Sequence, residues 1–253
     1  MGFISHQIQA SNTDTEIVWV QRIIDLICGI DSRITCNTTA AQQYADLTSA
    51  SRATFDIDIN GKYKLRLKRS VTNNTQTSQY IFSIIVNGTE YSISSAIRMW
   101  QTNTAGTGTV SNGFFKVAAY ITDNDIFIWF GAAYGTEITD VLPKNYCTSL
   151  ITDENNIEYC NGLYNSNDIT GTGLYKCSDG TTGYALVKCL NYTESVGNIS
   201  YIQNNPISST GAFAAYAKDI IACTTISAGT SIVLSTGEQC FAVGTNALVL
   251  IDE

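Results

Sequence analysis

The chain has 253 residues, 14 Lys+Arg against 22 Asp+Glu, a formal net charge of -8, and only 14% charged residues, where an ordinary soluble domain carries about 25%. In place of charge stand 31 Thr, 22 Ser and 20 Asn. With 44% hydrophobic residues it is too apolar to be disordered, and it has neither a Gly-X-Y period nor heptads, so collagen-like and coiled-coil classes are excluded. Nucleic-acid binding, which needs a basic footprint, is opposed by the acidic balance.

No window approaches the ~18 consecutive apolar residues of a membrane helix, so membrane insertion is not expected. Met1 to Glu16 is polar and lacks the charged-then-apolar pattern of a secretion signal, so the expected compartment is a reducing cytosol. The first element predicted is a helix. Thr13-Asp14-Thr15-Glu16 has the capping-box pattern, Ile17, Val20, Ile23, Ile24 and Ile27 recur at helical spacing, and Gly29 stands where the helix should end. The stripe has two uses, the chain's own core or a neighbouring subunit, and Ile17, Val20 and Ile24 are its candidate subunit contacts. A short helical turn is expected between Thr39 and Leu47.

From Ala53 the period changes to two. Phe55-Asp56-Ile57-Asp58-Ile59 and Lys62-Tyr63-Lys64-Leu65-Arg66-Leu67-Lys68-Arg69 alternate, so charges share one face and apolar residues the other. With Ile59-Asn60-Gly61 as a three-residue loop and Gly61 left-handed, Asp58 faces Lys62, Asp56 faces Lys64 and Ile57 faces Tyr63. The basic run then reads as a solvated face with cross-strand ion pairs, the alternative being a contact surface for an acidic partner. Asn87-Gly88 predicts a two-residue hairpin loop pairing Ile84 with Tyr91 and Phe82 with Ile93. A third hairpin spans Phe115 to Phe130 around Thr122-Asp123-Asn124-Asp125. Its second strand, Ile126-Phe127-Ile128-Trp129-Phe130, has no polar face and should be buried on both sides, in a core or a subunit interface. Phe127 and Trp129 are therefore also candidate subunit contacts.

Near Pro143 the composition shifts, with six of the eight cysteines beyond it. The expected organisation is a helical segment over 1–50, an antiparallel β domain over 51–142 and a second, Cys-containing mainly β domain over 143–253. The fold class expected is mainly β, antiparallel β-sandwich domains with an N-terminal α-helix. Short strands are expected at 173–177 and 184–189 around Asp179-Gly180, and closing strands over 231–244 and 247–251. Ala212 to Ala222, with Phe213, Tyr216 and Ile220 on one face, is compatible with a helix.

Catalytic sets are scarce. A Ser-His-Asp arrangement would depend on His6, the only histidine. The Gly-Thr-Gly runs at 106–108 and 171–173 lack a strand-to-helix phosphate context and read as loops. Asp123-Asn124-Asp125 and Asn165-Ser166-Asn167-Asp168 lack calcium-loop spacing and read as turns. Among the cysteines Cys28, Cys36, Cys147, Cys160, Cys177, Cys189, Cys223 and Cys240, no two are closer than eight positions. No C-x-x-C exists, and the first reading is reduced, buried thiols, with disulfides and metal as alternatives. Paired carboxylates remain open, with Asp153, Glu154 and Glu158 the nearest cluster. No cofactor is expected.

Asp58-Ile59-Asn60-Gly61-Lys62-Tyr63, Ile84-Ile85-Val86-Asn87-Gly88-Thr89-Glu90-Tyr91 and Val243-Gly244-Thr245-Asn246-Ala247-Leu248-Val249 are short hairpin phrases in a Thr/Ser/Asn-rich chain with little charge. In this texture the sequence is similar to virion structural proteins of tailed bacteriophages, of tail, baseplate or head-decoration type. The resemblance implies a non-enzymatic component of the virion, assembled in the host bacterial cytoplasm, with copies of itself and other virion proteins as partners. It supplies no catalytic residues. The alternatives are a carbohydrate-binding adhesion module, whose partner would be a host-surface glycan, and a polysaccharide-degrading enzyme using paired carboxylates.

Overall fold

The computed structural model describes residues 2–45, 53–69, 77–92, 97–101, 106–110, 113–134, 145–153, 155–163, 174–191, 198–206, 214–222, 231–234, 237–244 and 247–250. The elements up to the second hairpin are β1 (Gly2–Gln9), α1 (Glu16–Cys28), β2 (Ile34–Cys36), α2 (Ala40–Ala45), β3 (Thr54–Ile59), β4 (Tyr63–Arg69), β5 (Thr77–Val86) and β6 (Thr89–Ser92). Next come β7 (Ile97–Gln101), β8 (Gly113–Ile121), β9 (Ile126–Tyr134), β10 (Asn145–Thr152), β11 (Glu158–Leu163) and β12 (Leu174–Lys176). The last six are β13 (Thr182–Asn191), β14 (Asn198–Pro206), β15 (Ala214–Ala222), β16 (Ser231–Val233), β17 (Gln239–Gly244) and β18 (Ala247–Leu250). The chain is mainly β, the strand pairs whose register is described are antiparallel apart from β13–β15, and a helix stands near the N-terminus.

The chain forms two compact units, neither of them contiguous. One comprises Ser5–Ala118 and Phe130–Ile138; the other comprises Met1–Ile4, Ala119–Trp129 and Thr139–Glu253. Strands β1, β8 and β9 contribute residues to both units, so the boundary crosses strands rather than a linker.

In the helix-bearing unit the sheet order is β2-β3-β4-β5-β6, with β7 pairing β5. Alternation makes its faces: Phe55, Ile57, Ile59, Tyr63, Leu65 and Leu67 are buried, while Asp56, Asp58, Lys64, Arg66 and Lys68 keep solvent contact. Burying each such large apolar side chain stabilises the fold by roughly 1.5–3 kcal/mol. Phe82 and Phe115 both meet Phe130, with ring centroids 4.5 Å and 6.3 Å away. Helix α1 buries Trp19, Val20, Ile23, Ile24 and Ile27 and lies against α2 and β2. Its N-cap is Thr15, whose hydroxyl accepts the Val18 N–H at 3.4 Å. The expected capping box at Thr13 is thus displaced by two residues, and Glu16 becomes the first helical residue. A reciprocal box forms instead on α2, where the Thr39 hydroxyl accepts the Gln42 N–H and the Gln42 side chain accepts the Thr39 N–H.

The β3–β4 hairpin pairs Asp58 with Lys64, Asp56 with Arg66 and Ile59 with Tyr63. The expected register was two residues short, though its parity is right, because a slip of two leaves every side chain on its own face. Ile59 stays in the ladder because it is buried and paired with Ile34 on β2. Both Asn60 (φ 54) and Gly61 (φ 67) adopt the left-handed turn conformation, and Lys62 completes the loop. The β5–β6 turn has Asn87 (φ 47) and Gly88 (φ 79) and pairs Ile84 with Tyr91 as expected; Ile93 lies outside the described residues.

The second sheet follows the path β1-β8-β9-β10-β11-β12-β13-β15-β18-β17-β16, with β14 also pairing β13. Ile126, Phe127, Ile128, Trp129 and Phe130 on β9 are all buried, as the run without a polar face requires. The segment at 212–222, compatible in sequence with a helix, is strand β15 over its described part, paired with β13 on one side and β18 on the other. An apolar run suits a strand with neighbours on both sides as well as a helix, and here the pairing decides.

Candidate functional site

The five residues expected to make subunit contacts are placed mainly inside the chain. Val20, Ile24, Phe127 and Trp129 retain 0%, 2%, 5% and 1% of their surface, and Ile17 is half-buried. A side chain without accessible surface cannot touch a neighbouring copy of the folded chain, so the stripe of α1 and the apolar strand β9 serve this chain's own core. Val18 is the large apolar residue that α1 leaves exposed.

The polar face of β3, β4, β5 and β6 carries a connected set of charges. Arg66 donates from Nε and Nη2 to the two carboxylate oxygens of Asp56 at 2.7 Å and 2.9 Å, and from Nη1 to Glu90 at 2.7 Å. Glu90 also accepts from the Ser83 hydroxyl at 2.7 Å. The hydrogen bond to Asp56 raises the Arg66 pKa. Burial alone would raise the Glu90 carboxyl, but Ser83 and Arg66 outweigh it and hold the group low. Within the basic run, Arg66 is therefore answered by carboxylates of its own sheet.

A second set, not foreseen from the sequence, lies on the opposite face. Arg69, three residues after Arg66, has the parity of Tyr63, Leu65 and Leu67 and is fully buried. Its Nε donates to Glu16 at 3.3 Å, and both side chains have 0% exposure. The other Glu16 oxygen accepts the Gly106 N–H at 2.6 Å. Arg69 also hydrogen-bonds to Tyr80, whose hydroxyl shares a hydrogen bond with that of Tyr44. Burial, reinforced by nearby Glu16, pushes both phenols well above their ordinary range. The signal was present: Arg69 occupies a core position of the strand period, and Glu16 precedes Val20, Ile23 and Ile27 on the helical one.

Gly106 to Val110 completes this arrangement. The Gly106 and Gly108 carbonyls accept the Ile17 and Glu16 N–H groups at 3.1 Å each, and Val110 N–H donates to the Asp14 carbonyl at 2.8 Å. The first amides of α1, which elsewhere make an anion site, are here taken by the chain's own carbonyls. Gly106 has φ +77, and a Cβ there would sit 3.0 Å from Tyr44 Cδ1. This loop is a brace, in keeping with its sequence reading; the run at 171–173 lies outside the described residues.

The remaining candidates organise turns. Asp125 accepts the Thr152 N–H at 2.8 Å, and its own N–H donates to the Thr122 hydroxyl at 2.9 Å. Asp153 accepts from Asn155 N–H, Ile157 N–H and the Tyr159 hydroxyl at 2.9, 2.8 and 3.1 Å. These bonds outweigh burial and hold its carboxyl low. Its expected partner Glu154 is outside the described residues, as is 165–168. His6 is exposed on β1. Among the described residues no cluster of three His, Cys, Asp or Glu side chains could hold a metal ion. The described aromatics are mostly interior, including Trp19, Trp129, Phe55, Tyr63 and Tyr80, while Tyr91, Tyr120 and Tyr175 are half-buried. No protein-family model matches the chain, nor does any curated protein or solved structure.

Proposed function

We propose that the chain is a non-enzymatic structural component of a tailed-phage particle, repeated in many copies in a tail, baseplate or capsid surface. The observation that carries this reading is what its polar groups do. Asp14, Asp31, Glu90, Asp153 and Asp179 are the described carboxyl groups displaced from their ordinary pKa, and all are held low by hydrogen bonds or a neighbouring cation. A glycosidase acid needs a carboxyl held high. Carboxylates that accept bonds from turns and ladders are kept as anions and contribute rigidity. A scaffold uses them in this way. The scarcity of charge supports the same reading, because uncharged polar strands are buried between copies without the several kcal/mol that desolvating each ion costs.

Two measurements test it together: sedimentation velocity over a wide concentration range, and a mass-spectrometric search for the chain in purified particles. Concentration-dependent assembly and many copies per particle are expected. A strict monomer that is absent from particles overturns the proposal, and release of reducing ends from host glycans, lost on one Asp or Glu substitution, replaces it with the enzymatic reading.

A further inference from the structure

In the C-terminal unit two thiols meet across neighbouring strands. Strands β11 and β12 are antiparallel, with Tyr159 opposite Lys176 and Cys160 opposite Tyr175. The Cys177 N–H donates to the Glu158 carbonyl at 2.9 Å, which carries the pairing one residue beyond β12. Cross-strand partners share a face, and so do residues two apart on one strand. Cys160, Tyr175 and Cys177 are therefore on one side of the sheet, with Cys177 diagonal to Cys160. That register sets the two side chains beside each other on one face, and Cys177 is the neighbour that most raises the Cys160 thiol. Access to them is unequal: Cys160 is fully buried, while Cys177 is half-buried at the start of a turn whose Ser178 and Asp179 are exposed.

We infer that Cys160 and Cys177 form a reversible thiol–disulfide site that takes a low-molecular-weight disulfide, RS–SR, as oxidant. The Cys177 thiolate attacks one sulfur of RS–SR, forming Cys177–S–S–R and expelling RS⁻. The Cys160 thiol loses its proton, attacks the Cys177 sulfur and expels the second RS⁻, leaving the Cys160–Cys177 bond. Two protein thiols lose two electrons and two protons, and the oxidant gains them as two RSH. Exposure makes Cys177 the attacking thiol. Neighbouring Cys177, and after it burial, push the Cys160 thiol up, and engaging Cys177 in the mixed disulfide removes the first of these, so Cys160 acts after its neighbour. A diagonal backbone spacing of roughly 7–8 Å exceeds the about 4.4–6.8 Å of relaxed disulfides. Closure therefore draws the turn toward β11, and the bridge is of the readily reduced kind. The other described pair of neighbouring thiols is arranged differently. Cys28 is pushed up to about 12, chiefly by burial and next by nearby Cys36, but the Cys36 S–H donates to the Thr38 carbonyl at 3.4 Å.

The test is to titrate the full chain with oxidised glutathione, alkylate the remaining thiols and map peptides by mass spectrometry without reduction. A 160–177 linked peptide, two hydrogens lighter and restored by dithiothreitol, is expected to form ahead of any 28–36 link. Cys177→Ser should abolish both the glutathione adduct at this site and the bridge. Cys160→Ser should leave a stalled glutathione adduct on Cys177; if that variant fails to fold, the adduct seen transiently on the wild-type chain at short times is the readout. The inference is overturned if Cys177 accumulates as an adduct with no 160–177 bridge, if Cys160 links to another cysteine, or if neither thiol reacts.

Discussion

Arg66 and Arg69 stand three residues apart on β4, point to opposite faces of one sheet, and each meets a carboxylate. Arg66 keeps about a quarter of its surface, 24%, and binds Asp56 and Glu90 from neighbouring strands. Arg69 keeps none and binds a carboxylate 53 residues away in sequence, together with a tyrosine of the next strand. The chemistry is similar and the solvent is not. Where water competes and salt screens, an ion pair is worth little beyond the geometry it favours. Out of water, each charge depends on its partner, because removing one leaves the other unsolvated and unpaired. The exposed ladder therefore tunes a sheet surface, while the buried set ties the start of α1, the end of β4, the Gly106 loop and α2 into one unit.

The largest effect should come from separating the buried charges. Arg69→Met alone is expected to cost about 3–5 kcal/mol of the stability of the helix-bearing unit, read by denaturant titration. Glu16→Gln combined with Arg69→Met should recover most of that loss, since Gln still accepts the Gly106 N–H. A cost under about 1 kcal/mol for the single change would erase the distinction between the two faces. Next comes Gly106→Ala, expected to cost about 1–2 kcal/mol for the left-handed backbone alone, with the close approach to Tyr44 in addition. Thermal melts of this variant beside Gly61→Ala, whose Cβ meets nothing within 4 Å, separate contact from backbone strain.

Arg66→Ala should cost at most about 1 kcal/mol, and its difference from the wild type should shrink in 1 M salt, where the Debye length falls to about 3 Å. Salt-insensitive loss would mean that Arg66 acts by packing. The smallest effect concerns acid. Asp14, Asp31 and Glu90 have folded-state pKa values below their unfolded ones. Their contribution is present above the unfolded carboxylate range of about 3.9–4.3 and lost as pH falls through the folded values. Stability should decline on acidification over that window, and less steeply in Arg66→Ala, where Glu90 has lost a cation. An unchanged acid limb in that variant would remove Glu90 from the account.

Local rules were legible wherever one residue's neighbours in sequence are also its neighbours in space. The stripe of α1, the parity of β3 and β4, and the Asn87-Gly88 turn are of this kind, since hydrophobic period and left-handed turn residues act within a few positions. The β3–β4 register was legible only modulo two, because parity is what alternation encodes, and the pairing of Ile59 with Ile34 on a third strand set the rest. The N-cap was misplaced for a related reason: Glu16 was needed by Arg69 and Gly106 and could not reach back to Thr13. Whether Ala214–Ala222 is helix or strand was not a local question, since its paired residues lie 30–33 positions before it on β13 and 25–29 after it on β18.

By itself the sequence determined a mainly β chain with a helix near its N-terminus, low in charge, with strands whose charged and apolar faces alternate. Only the tertiary structure decided that the apolar stripe of α1 and strand β9 serve this chain's own core, and that Glu16 and Arg69 meet out of water. It also decided that Cys160 and Cys177 share one face of neighbouring strands. Periodicity records whether a side chain faces a core, whereas which distant residue awaits it there depends on the path of the chain between them.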